Sequence, residues 1–543
     1  MDSGTNPPQN GMGTDSRRRQ HAGVDPVVFG IAAAISTAFV LWGVLDSESL
    51  ATVADDVLSW IISTFGWVFV MSTAAFLVFA AVLAFSRFGR LRLGQDDDRP
   101  EFRTASWIAM MFSAGMGIGL MFYAVAEPIS HLTAPPAGTA RAGSEAAAQQ
   151  AMALSYFHWA LHPWAIYAIV GLALAYFTFR RGLPNLISSA FYPLLGDRIH
   201  GPIGKSIDIL AIFATLFGSA TSLGLGALQI NSGLDFLWGV ESSNGVAVVI
   251  IAVLTLGFVV SAVSGVHRGI QWLSNTNMLL AIGLLLFLLV VGPTVFQFET
   301  LVESIGGYLT TIVPASFRTG AFGDQEWLSA WTIFYWAWWI SWAPFVGTFI
   351  ARISRGRTIR EFVVGVLLIP SGVSFVWFAV FGGAAIDLQL SGTADLGEIV
   401  GTPEVALFTT LEQFPLSGIT SFVVVVLVAL FFISGADAAS LVMGMLSSHG
   451  SLSPRRSVTV VWGVSTGAAA AILLLADGLS ALQQAAIIAA APFTLVMIGL
   501  CVSLFKGLAA DIAPVLRPEP APGAPEPASR QRVSVPPTVA GGS

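Results

Sequence analysis

Long apolar runs recur along most of this sequence, and the first extends from Val27 to Leu45. A helix needs roughly 20 predominantly apolar residues to cross the hydrocarbon core of a bilayer. Only 10% of the residues are charged, whereas soluble proteins average about 25%. Backbone groups that face lipid must be paired inside their own segment, and a helix does this. The sequence therefore predicts an all-α polytopic membrane protein.

We count twelve candidate membrane spans. Their approximate ranges are 27–45, 59–85, 104–126, 147–179, 205–232, 244–266, 269–293, 327–351, 358–385, 417–448, 456–476 and 482–508. No small-residue cleavage site followed by a polar mature domain comes after the first run, so we expect it to remain as a helix and not to be a signal peptide.

Positively charged residues are concentrated in alternate loops. Short cytoplasmic loops carry an excess of Lys and Arg, and twelve spans with a cytoplasmic N-terminus place the following residues inside: Arg17, Arg18, Arg19, Arg87, Arg90, Arg92, Arg99, Arg103, Arg180, Arg181, Arg198, Lys205, Arg268, Arg352, Arg355, Arg357, Arg360, Arg455, Arg456 and Lys506. Arg141 and Arg318 are the exceptions. We therefore predict that both termini are cytoplasmic.

Both ends of the chain are expected to be disordered cytoplasmic tails. Residues 1–26 are mostly polar, and residues 509–543 are rich in proline, a composition that does not form a packed domain. The single cysteine, Cys501, lies in the last apolar run. It excludes a disulfide framework and a cysteine-based metal site.

The third span contains three alternating glycines, Gly115, Gly117 and Gly119. Secondary transporters interrupt helices where polar groups must reach the middle of the membrane, and glycine weakens a helix. Unwound carbonyl groups here could bind a cation or another ligand. Alternatively, Gly115 and Gly119 are four residues apart and could form a groove for helix packing. Both interpretations stay open at this point.

The eighth span contains five tryptophans within twelve residues. We assign Trp331, at the outer end, to the interfacial belt in which tryptophan is enriched. The others lie well inside the span and are candidates for a binding site: Trp336, Trp338, Trp339 and Trp342. Pro344 and Gly347 follow them and are expected to break the helix nearby.

The fourth span adds Trp159, Trp164 and Tyr167. Trp164 and Tyr167 are three residues apart and share one helix face. Aromatic faces from two helices could surround a cation. A quaternary ammonium group cannot donate a hydrogen bond, so it is recognised by shape and by cation–π attraction, roughly 2 kcal/mol or more per desolvated contact. A site for such a group would be lined by Trp and Tyr.

With these residues the chain resembles the betaine/carnitine/choline transporter family over residues 27–508. The resemblance is carried by GMGIGLM, by the Trp159, Trp164 and Tyr167 spacing, and by the stretch from Trp331 through ARISRGRTIREF. It implies two peripheral helices in 27–103, a first inverted five-helix repeat in 104–297, an amphipathic connecting segment in 298–326 and a second repeat in 327–508. It also implies a homotrimer in the bacterial inner membrane, in contact with lipids.

The resemblance further implies a substrate site. Four residues match the aromatic box of the family for the ammonium group: Trp159, Trp164, Tyr167 and Trp339. Trp336, Trp338 and Trp342 would line the path, and backbone groups near Ala114, Met116 and Gly117 would meet the carboxylate end of the substrate. Choline-selective relatives have Asp near the position of Gly119, so an uncharged residue there favours a zwitterion.

Sodium is the implied coupling ion, and no other cofactor is expected. One sodium site would use Ser113, Met116, Phe431, Ser434 and Gly435, and a second would use Thr215 and Ser219. Sodium-independent antiporters resemble these carriers but have a fixed Arg and a Met where this chain has Asn277 and Val346. The chain departs from the family pattern at Gly435, where a second hydroxyl residue is usual, so its sodium affinity or stoichiometry is an open question.

The expected function is therefore sodium-coupled import of glycine betaine or a similar zwitterionic solute. A carrier for choline, carnitine, ectoine or proline, or a sodium-independent exchanger, stays open. No filter loop or charged ring suggests a channel, and no nucleic-acid partner is expected. For an enzyme the nearest candidates are His158 and His162, interpreted as packing or gating residues because zinc needs more ligands. Asp437, an acid inside the tenth span, is expected to have a structural partner.

Overall fold

The structure is a computed structural model that describes residues 23–115, 117–264 and 267–512. This part of the chain is helical and contains no β-strand. By length and composition, eight of its helices could cross a membrane, or nine if one pair bent by 110° is a single span. The all-α fold is confirmed at this level, whereas twelve spans and two inverted repeats stay predictions. The predicted tails lie outside the described residues, apart from 23–26 and 509–512.

We number the α-helices of eight or more residues in chain order. They are α1 (Pro26–Leu45), α2 (Ser47–Phe85), α3 (Thr104–Gly115), α4 (Ile118–Thr133), α5 (Glu145–Trp159), α6 (Leu161–Ala175), α7 (Pro202–Trp238), α8 (Asn244–Ser264), α9 (His267–Val291), α10 (Thr294–Ser316), α11 (Phe334–Ile353), α12 (Ile359–Leu390), α13 (Ser417–Leu446) and α14 (Arg456–Ile512).

The last helix, α14, is bent in its middle. Asp477 and Gly478 leave the helical conformation, and Gly478 has φ 58°, a backbone angle that glycine adopts without steric cost. The predicted spans 456–476 and 482–508 lie on either side of this bend. Helix α14 therefore consists of two helical segments that run in different directions on either side of Asp477 and Gly478.

The third predicted span is interrupted, as its glycines indicated. Helix α3 ends at Gly115 and α4 begins at Ile118, and the backbone of Gly117 between them is extended, with φ −170°. Met116 lies outside the described residues. The interruption leaves backbone groups at the helix ends without partners in the helix, which is what a ligand site inside a membrane requires.

A second interruption, between α5 and α6, was not predicted, because the sequence indicated one span over 147–179. Ala160 has φ −106° and ψ −116°, and Pro163 follows it in the first turn of α6, where proline is tolerated. Proline has no N–H to pair with the carbonyl of Trp159 four residues earlier. The hydroxyl of Ser374 on α12 donates to that carbonyl instead, at 2.9 Å.

The break predicted near Pro344 and Gly347 is wrong. Helix α11 continues through Pro344, as proline in a membrane helix can when neighbouring helices support it. A Cβ at Gly347 would lie 2.7 Å from Cγ1 of Val170, so Gly347 allows α6 and α11 to pack closely. The irregular part is a π-helical turn at Ser329–Ile333, just before α11.

Helix α10 lies where the sequence predicted an amphipathic connecting segment. It turns by 110° from α9 and buries only a few of its residues, among them Gln297 and Tyr308. The amide of Gln297 donates to the carbonyl of Val380 on α12 at 3.1 Å. This contact ties the connecting helix to the helices around the site.

Two basic loops pack on each other at one end of the molecule. In the loop after α11, the guanidinium of Arg357 lies 4.0 Å from the ring centroid of Trp107 and donates to the carbonyl of Phe102 at 3.1 Å. The backbone N–H of Gly356 donates to the carbonyl of Leu93 at 2.8 Å. In the ARISRGR segment, Arg357 therefore binds the neighbouring basic loop.

Candidate functional site

An aromatic cavity lies where α4, α6, α11 and α12 meet the two helix interruptions. The space inside it that can hold water amounts to about 50 Å³, so the cavity is narrow. We call this space the aromatic cavity. Its described lining residues are Gly117, Gly119, Leu120, Trp159, Pro163, Trp164, Tyr167, Trp338, Trp339, Trp342, Val346 and Ser374. None of these described lining residues is charged.

Several aromatic rings of the cavity meet at steep angles, whereas Trp338 and Trp339 stack with centroids 4.6 Å apart and planes at 16°. The ring centroids of Trp159 and Trp339 are 4.9 Å apart with planes at 71°, and those of Tyr167 and Trp339 are 6.4 Å apart at 77°. Trp164 meets Tyr167 at 78°. Rings that stand nearly perpendicular form walls on several sides of one space, as a roughly spherical cation requires.

The indole N–H groups of the three cavity tryptophans on α11 donate to backbone carbonyls. The N–H of Trp342 donates to the carbonyl of Gly218 at 2.8 Å, and that of Trp338 donates to the same carbonyl at 3.3 Å. The N–H of Trp339 donates to the carbonyl of His158 at 3.0 Å. Because these donors are already paired, the rings can present apolar faces to a ligand without leaving buried donors unsatisfied.

The break between α5 and α6 supports this arrangement. The His158 carbonyl lies in the last turn of α5, where carbonyls lose their helical partners, and it accepts the indole of Trp339. Trp159 ends the same helix. The interruption therefore fixes one ring of the cavity directly and a second through a hydrogen bond.

Gly119 lies against two of the rings. A Cβ at this position would be 2.8 Å from Cη2 of Trp159 and 2.8 Å from Cη2 of Trp338. Contacts that short require the rings to move. Glycine at 119 is therefore a packing requirement of the cavity, in addition to being uncharged.

Trp336 lies apart from the other tryptophans of α11. Its ring packs against Phe157 with centroids 5.1 Å apart and stacks on His162 at 5.2 Å, and it is not among the residues that line the cavity. The structure thus brings together six of the seven aromatic residues selected from the sequence: Trp159, Trp164, Tyr167, Trp338, Trp339 and Trp342.

The predicted contacts to the substrate carboxylate are described in part. Gly117 lines the cavity. Ala114 and Ser113 belong to the last turn of α3, and only their helical backbone is described, while Met116 lies outside the described residues. The start of α4 and the residue before it therefore border the cavity, through Gly119 and Gly117.

Two candidate sodium ligands lie together on α13. The hydroxyl of Ser434 donates to the carbonyl of Phe431 at 3.2 Å, and the amide nitrogen of Asn277 donates to this hydroxyl at 3.4 Å. The Oδ1 atom of Asn277 is buried and has no hydrogen-bond partner among the described residues. A Cβ at Gly435 would meet nothing within 4 Å, so the place of the missing side chain is open.

The second candidate sodium pair lies on α7. Thr215 and Ser219 are both buried, and the Thr215 hydroxyl donates to the carbonyl of Ala211 in its own helix at 2.8 Å. Ser219 follows Gly218, whose carbonyl accepts the two indole groups of α11. Hydroxyl and carbonyl oxygens of this kind are hard ligands that suit alkali and alkaline-earth cations.

A buried cluster of polar groups adjoins the cavity, and the sequence reasoning missed it. Its centre is Glu127 on α4, which is fully buried. The carboxylate contacts His158 at 2.7 Å and His131 at 3.3 Å, and it accepts from Trp159 at 2.7 Å and from Tyr335 at 2.6 Å. An acid beside an apolar membrane segment is a functional candidate by default, so Glu127, directly after the third predicted span, was the signal.

The pair His158 and His162 does not form a common site. His158 binds the Glu127 carboxylate, whereas Nε2 of His162 lies 2.9 Å from the hydroxyl of Ser316. The sequence showed no further ligand beside this pair, but the fold brings Glu127 and His131 to His158. These residues are four apart on α4 and 27 or more residues from His158 along the chain.

Asp437 has the structural partner that the sequence led us to expect. The hydroxyl of Ser261 on α8 donates to Oδ2 of Asp437 at 3.1 Å, and Asp437 itself is buried. The contact joins α8 to α13, away from the residues that line the aromatic cavity.

Comparisons with known proteins identify the family. The model of the betaine/carnitine/choline family of transporters matches residues 27–513. The chain is 50% identical to the glycine betaine transporter OpuD of Bacillus subtilis over 89% of this chain and 94% of that protein. It is 45% identical to a probable glycine betaine transporter of Desulfitobacterium hafniense over 92% of this chain and 99% of the relative.

A third relative adds a different solute to its name. The betaine/ectoine transporter LcoP of Corynebacterium glutamicum is 41% identical over 93% of this chain and 81% of its own length. The family model thus matches nearly the whole described length of the chain. The chain is thus an integral membrane transporter and belongs to the betaine/carnitine/choline transporter family.

Proposed function

We propose that this transporter is a sodium-coupled symporter that imports glycine betaine, or a similar zwitterionic quaternary-ammonium solute, by alternating access. The observation that carries the proposal is the aromatic cavity: five tryptophans and one tyrosine line it, with no charged side chain among its described lining residues. Such a lining attracts a cation through ring faces. It offers no carboxylate that would repel the acidic end of a zwitterion.

The position of the cavity supports binding of both ends of the substrate. The start of α4 borders the cavity through Gly117 and Gly119, and the N-terminus of a helix carries unpaired N–H groups that favour an anion. The rings of α5, α6 and α11 lie on the other sides. A molecule with an ammonium group at one end and a carboxylate at the other fits this division.

Sodium coupling rests on the oxygen atoms around Ser434. The Ser434 hydroxyl, the Phe431 carbonyl and the unpartnered Oδ1 of Asn277 lie in one region. We propose that Ser113 and Met116 complete this site, that a backbone carbonyl or water replaces the side chain missing at Gly435, and that Thr215 and Ser219 serve a second ion. Asn277 also means that no built-in arginine stands in for sodium.

We further propose the architecture that the family resemblance implies. Twelve spans would form two peripheral helices and two inverted five-helix repeats, with both termini in the cytoplasm, and three copies would assemble in the bacterial inner membrane. The interruptions in α3/α4 and α5/α6 support it, because transporters of this architecture bind substrate at broken helices near the membrane centre.

The decisive experiment is uptake of radiolabelled glycine betaine into proteoliposomes, with and without an inward sodium gradient. Potassium replaces sodium in the control. The proposal predicts saturable uptake that requires the sodium gradient and that excess unlabelled betaine abolishes. Equal uptake with potassium would overturn the coupling and leave an exchanger or facilitator.

Competition identifies the solute. Excess unlabelled choline, ectoine, proline and carnitine are added separately to the same assay. The uncharged Gly119 and the cavity lining predict weak competition by choline, which has no carboxylate. Strong competition by ectoine would assign this chain the solute range suggested by the name of its Corynebacterium relative.

A further inference from the structure

The Glu127 carboxylate receives four hydrogen bonds in the interior of the protein. Oε1 contacts Nδ1 of His158 and Nε2 of His131, and Oε2 contacts the indole N–H of Trp159 and the hydroxyl of Tyr335. We call these five residues the Glu127 cluster. All of them are buried. Among the described residues, the two histidines are the only groups within ion-pairing distance of Glu127 that could carry a positive charge.

The hydrogen bonds assign a negative charge to Glu127. The Trp159 indole can only donate, and Tyr335 lies 2.6 Å from the same oxygen, the length of a bond between a hydroxyl and a charged oxygen. His131 Nδ1 has no partner among the described residues, which places its proton on Nε2. His158 Nε2 lies 3.0 Å from the hydroxyl of Thr332, so both of its ring nitrogens have partners. A carboxylate surrounded by the indole and hydroxyl donors of Trp159 and Tyr335 is in the environment of an ionised acid.

The charged carboxylate lies directly behind the cavity. Trp159 connects the two, because its N–H donates to Glu127 at 2.7 Å while its ring lines the cavity. Tyr335 makes a second connection, since its ring stacks on Trp339 at 5.8 Å with planes only 15° apart. One carboxylate thus holds one ring of the cavity and supports another.

A metal ion fits this cluster less well than the hydrogen bonds do. Ligand atoms of Glu127, His131 and His158 lie within 4.8 Å of one another. However, tetrahedral zinc sites have ligands about 2.0–2.2 Å from the ion, which keeps two ligand atoms more than about 3 Å apart. The Oε1 of Glu127 is only 2.7 Å from His158, a direct hydrogen bond that leaves no space for an ion.

We propose that Glu127 is a positioning residue that holds Trp159 in the cavity wall and, as a fixed negative charge one indole ring behind it, selects a cationic head group. The inference rests on the proposed quaternary-ammonium substrate. A charge acting across the ring attracts the ammonium group in addition to the ring faces, and it polarises the indole to which it is hydrogen bonded. The cavity keeps its uncharged lining.

The test compares glycine betaine with 3,3-dimethylbutanoate, which has the same shape but a carbon atom in place of the ammonium nitrogen. Binding to the purified full-length protein is followed by tryptophan fluorescence, in the parent and in Glu127→Gln. The parent is expected to prefer betaine. In Glu127→Gln that preference should fall about tenfold or more, the effect of one charge across a ring at the effective dielectric constant of a protein.

Two control variants separate charge from packing. Thr332→Val removes a hydroxyl that contacts His158 but not Glu127, so it should keep the preference for betaine. Glu127→Asp keeps the charge and withdraws it by one methylene group, so the preference should fall by a smaller factor. The aspartate variant also serves as the test if the glutamine variant does not insert into the membrane.

Three results would overturn the inference. An equal loss of affinity for both ligands in Glu127→Gln would make Glu127 a packing residue only. An unchanged preference would remove its charge from recognition. Loss of betaine binding by the parent after treatment with a chelator, but not by Glu127→Gln, would place a metal ion in the cluster. If the parent binds no betaine at all, the proposed function has failed instead.

Discussion

Replacing Trp339 by leucine tests the aromatic cavity most directly. Trp339 contacts three other rings of the cavity, Trp159, Tyr167 and Trp338, and only 5% of it is exposed. Leucine fills part of the same space but has no ring face for a cation. We expect the variant to insert and to lose most of its affinity for glycine betaine.

The size of the loss follows from the burial of Trp339. A desolvated cation–π contact contributes about 2 kcal/mol, and each 1.4 kcal/mol is tenfold in affinity, so the dissociation constant should rise about 30-fold. The substitution also removes the hydrogen bond to the His158 carbonyl, which costs about 1–3 kcal/mol of folding stability when the carbonyl stays buried. The second effect lowers the amount of folded protein without changing its affinity.

Binding to purified, folded protein separates the two effects. Trp336→Leu is the matched control, since it makes the same change on the same helix outside the cavity, and its folded fraction should keep the affinity of the parent. Trp339→Phe keeps a ring and loses the N–H, so it should bind better than Trp339→Leu. Parental affinity in Trp339→Leu would refute the idea that ring faces bind the ammonium group.

Three further predictions concern other parts of the molecule. Gly435→Ser should lower the sodium concentration needed for half-maximal betaine uptake, because the site has room for the side chain, whereas Gly435→Ala should not. Gly119→Ala should weaken betaine binding about fivefold or more in the fluorescence assay, since overpacking costs about 1–3 kcal/mol and the new Cβ meets two rings at 2.8 Å. Asp25→Ala should cost about 1 kcal/mol of stability in thermal unfolding, because Asp25 caps α1. Burial alone would raise the pKa of Asp25, but the backbone N–H of Val28 and the ammonium group of Lys205 outweigh it and lower this pKa. The ionised carboxylate therefore stabilises the folded protein above the unfolded-state pKa near 3.8. This stabilisation is lost as the pH falls through the lower folded-state pKa.

Each of these predictions has an outcome that contradicts it. Equal sodium dependence in Gly435→Ser and Gly435→Ala would mean that position 435 is not at an ion site. Parental affinity in Gly119→Ala would mean that the rings move without cost. A stability difference between the parent and Asp25→Ala that does not shrink in acid would leave helix capping as the only contribution of Asp25.

Residue type and local spacing predicted the aromatic cavity well. Tryptophan is enriched at the membrane interface, so tryptophans well inside an apolar span indicate another role. For this reason Trp159, Trp338 and Trp339 could be selected from the sequence alone. The interruption between α3 and α4 was predictable for a similar reason, since alternating glycines weaken a helix wherever they occur.

The orientation of α11 could not be predicted. Nearly every residue of this helix is buried, and a helix that is buried all round carries no hydrophobic periodicity to show which face lines a cavity. Hydrophobic periodicity therefore does not distinguish Trp336 from Trp339. Only contacts with other helices show that Trp336 packs against Phe157 while Trp339 faces Trp159.

The two prolines show why helix breaks are also hard to predict. Pro163 lies in the first turn of α6, and the carbonyl it leaves unpaired finds the hydroxyl of Ser374, which is more than 200 residues away along the chain. Pro344 lies within α11, and the helix continues through it. Whether proline ends a helix depends on partners that local sequence does not reveal.

The proposed role of Glu127 would explain how a cavity that contains no charge among its described lining residues selects a cation. A carboxylate in the wall would attract the ammonium group, but it would also repel the carboxylate of a zwitterion and attract sodium into the substrate site. Placed behind Trp159, the same charge acts across the ring on the ammonium end, while the rings themselves exclude a direct ion contact. The start of α4, on another side of the cavity, then offers its N–H groups to the opposite end of the substrate.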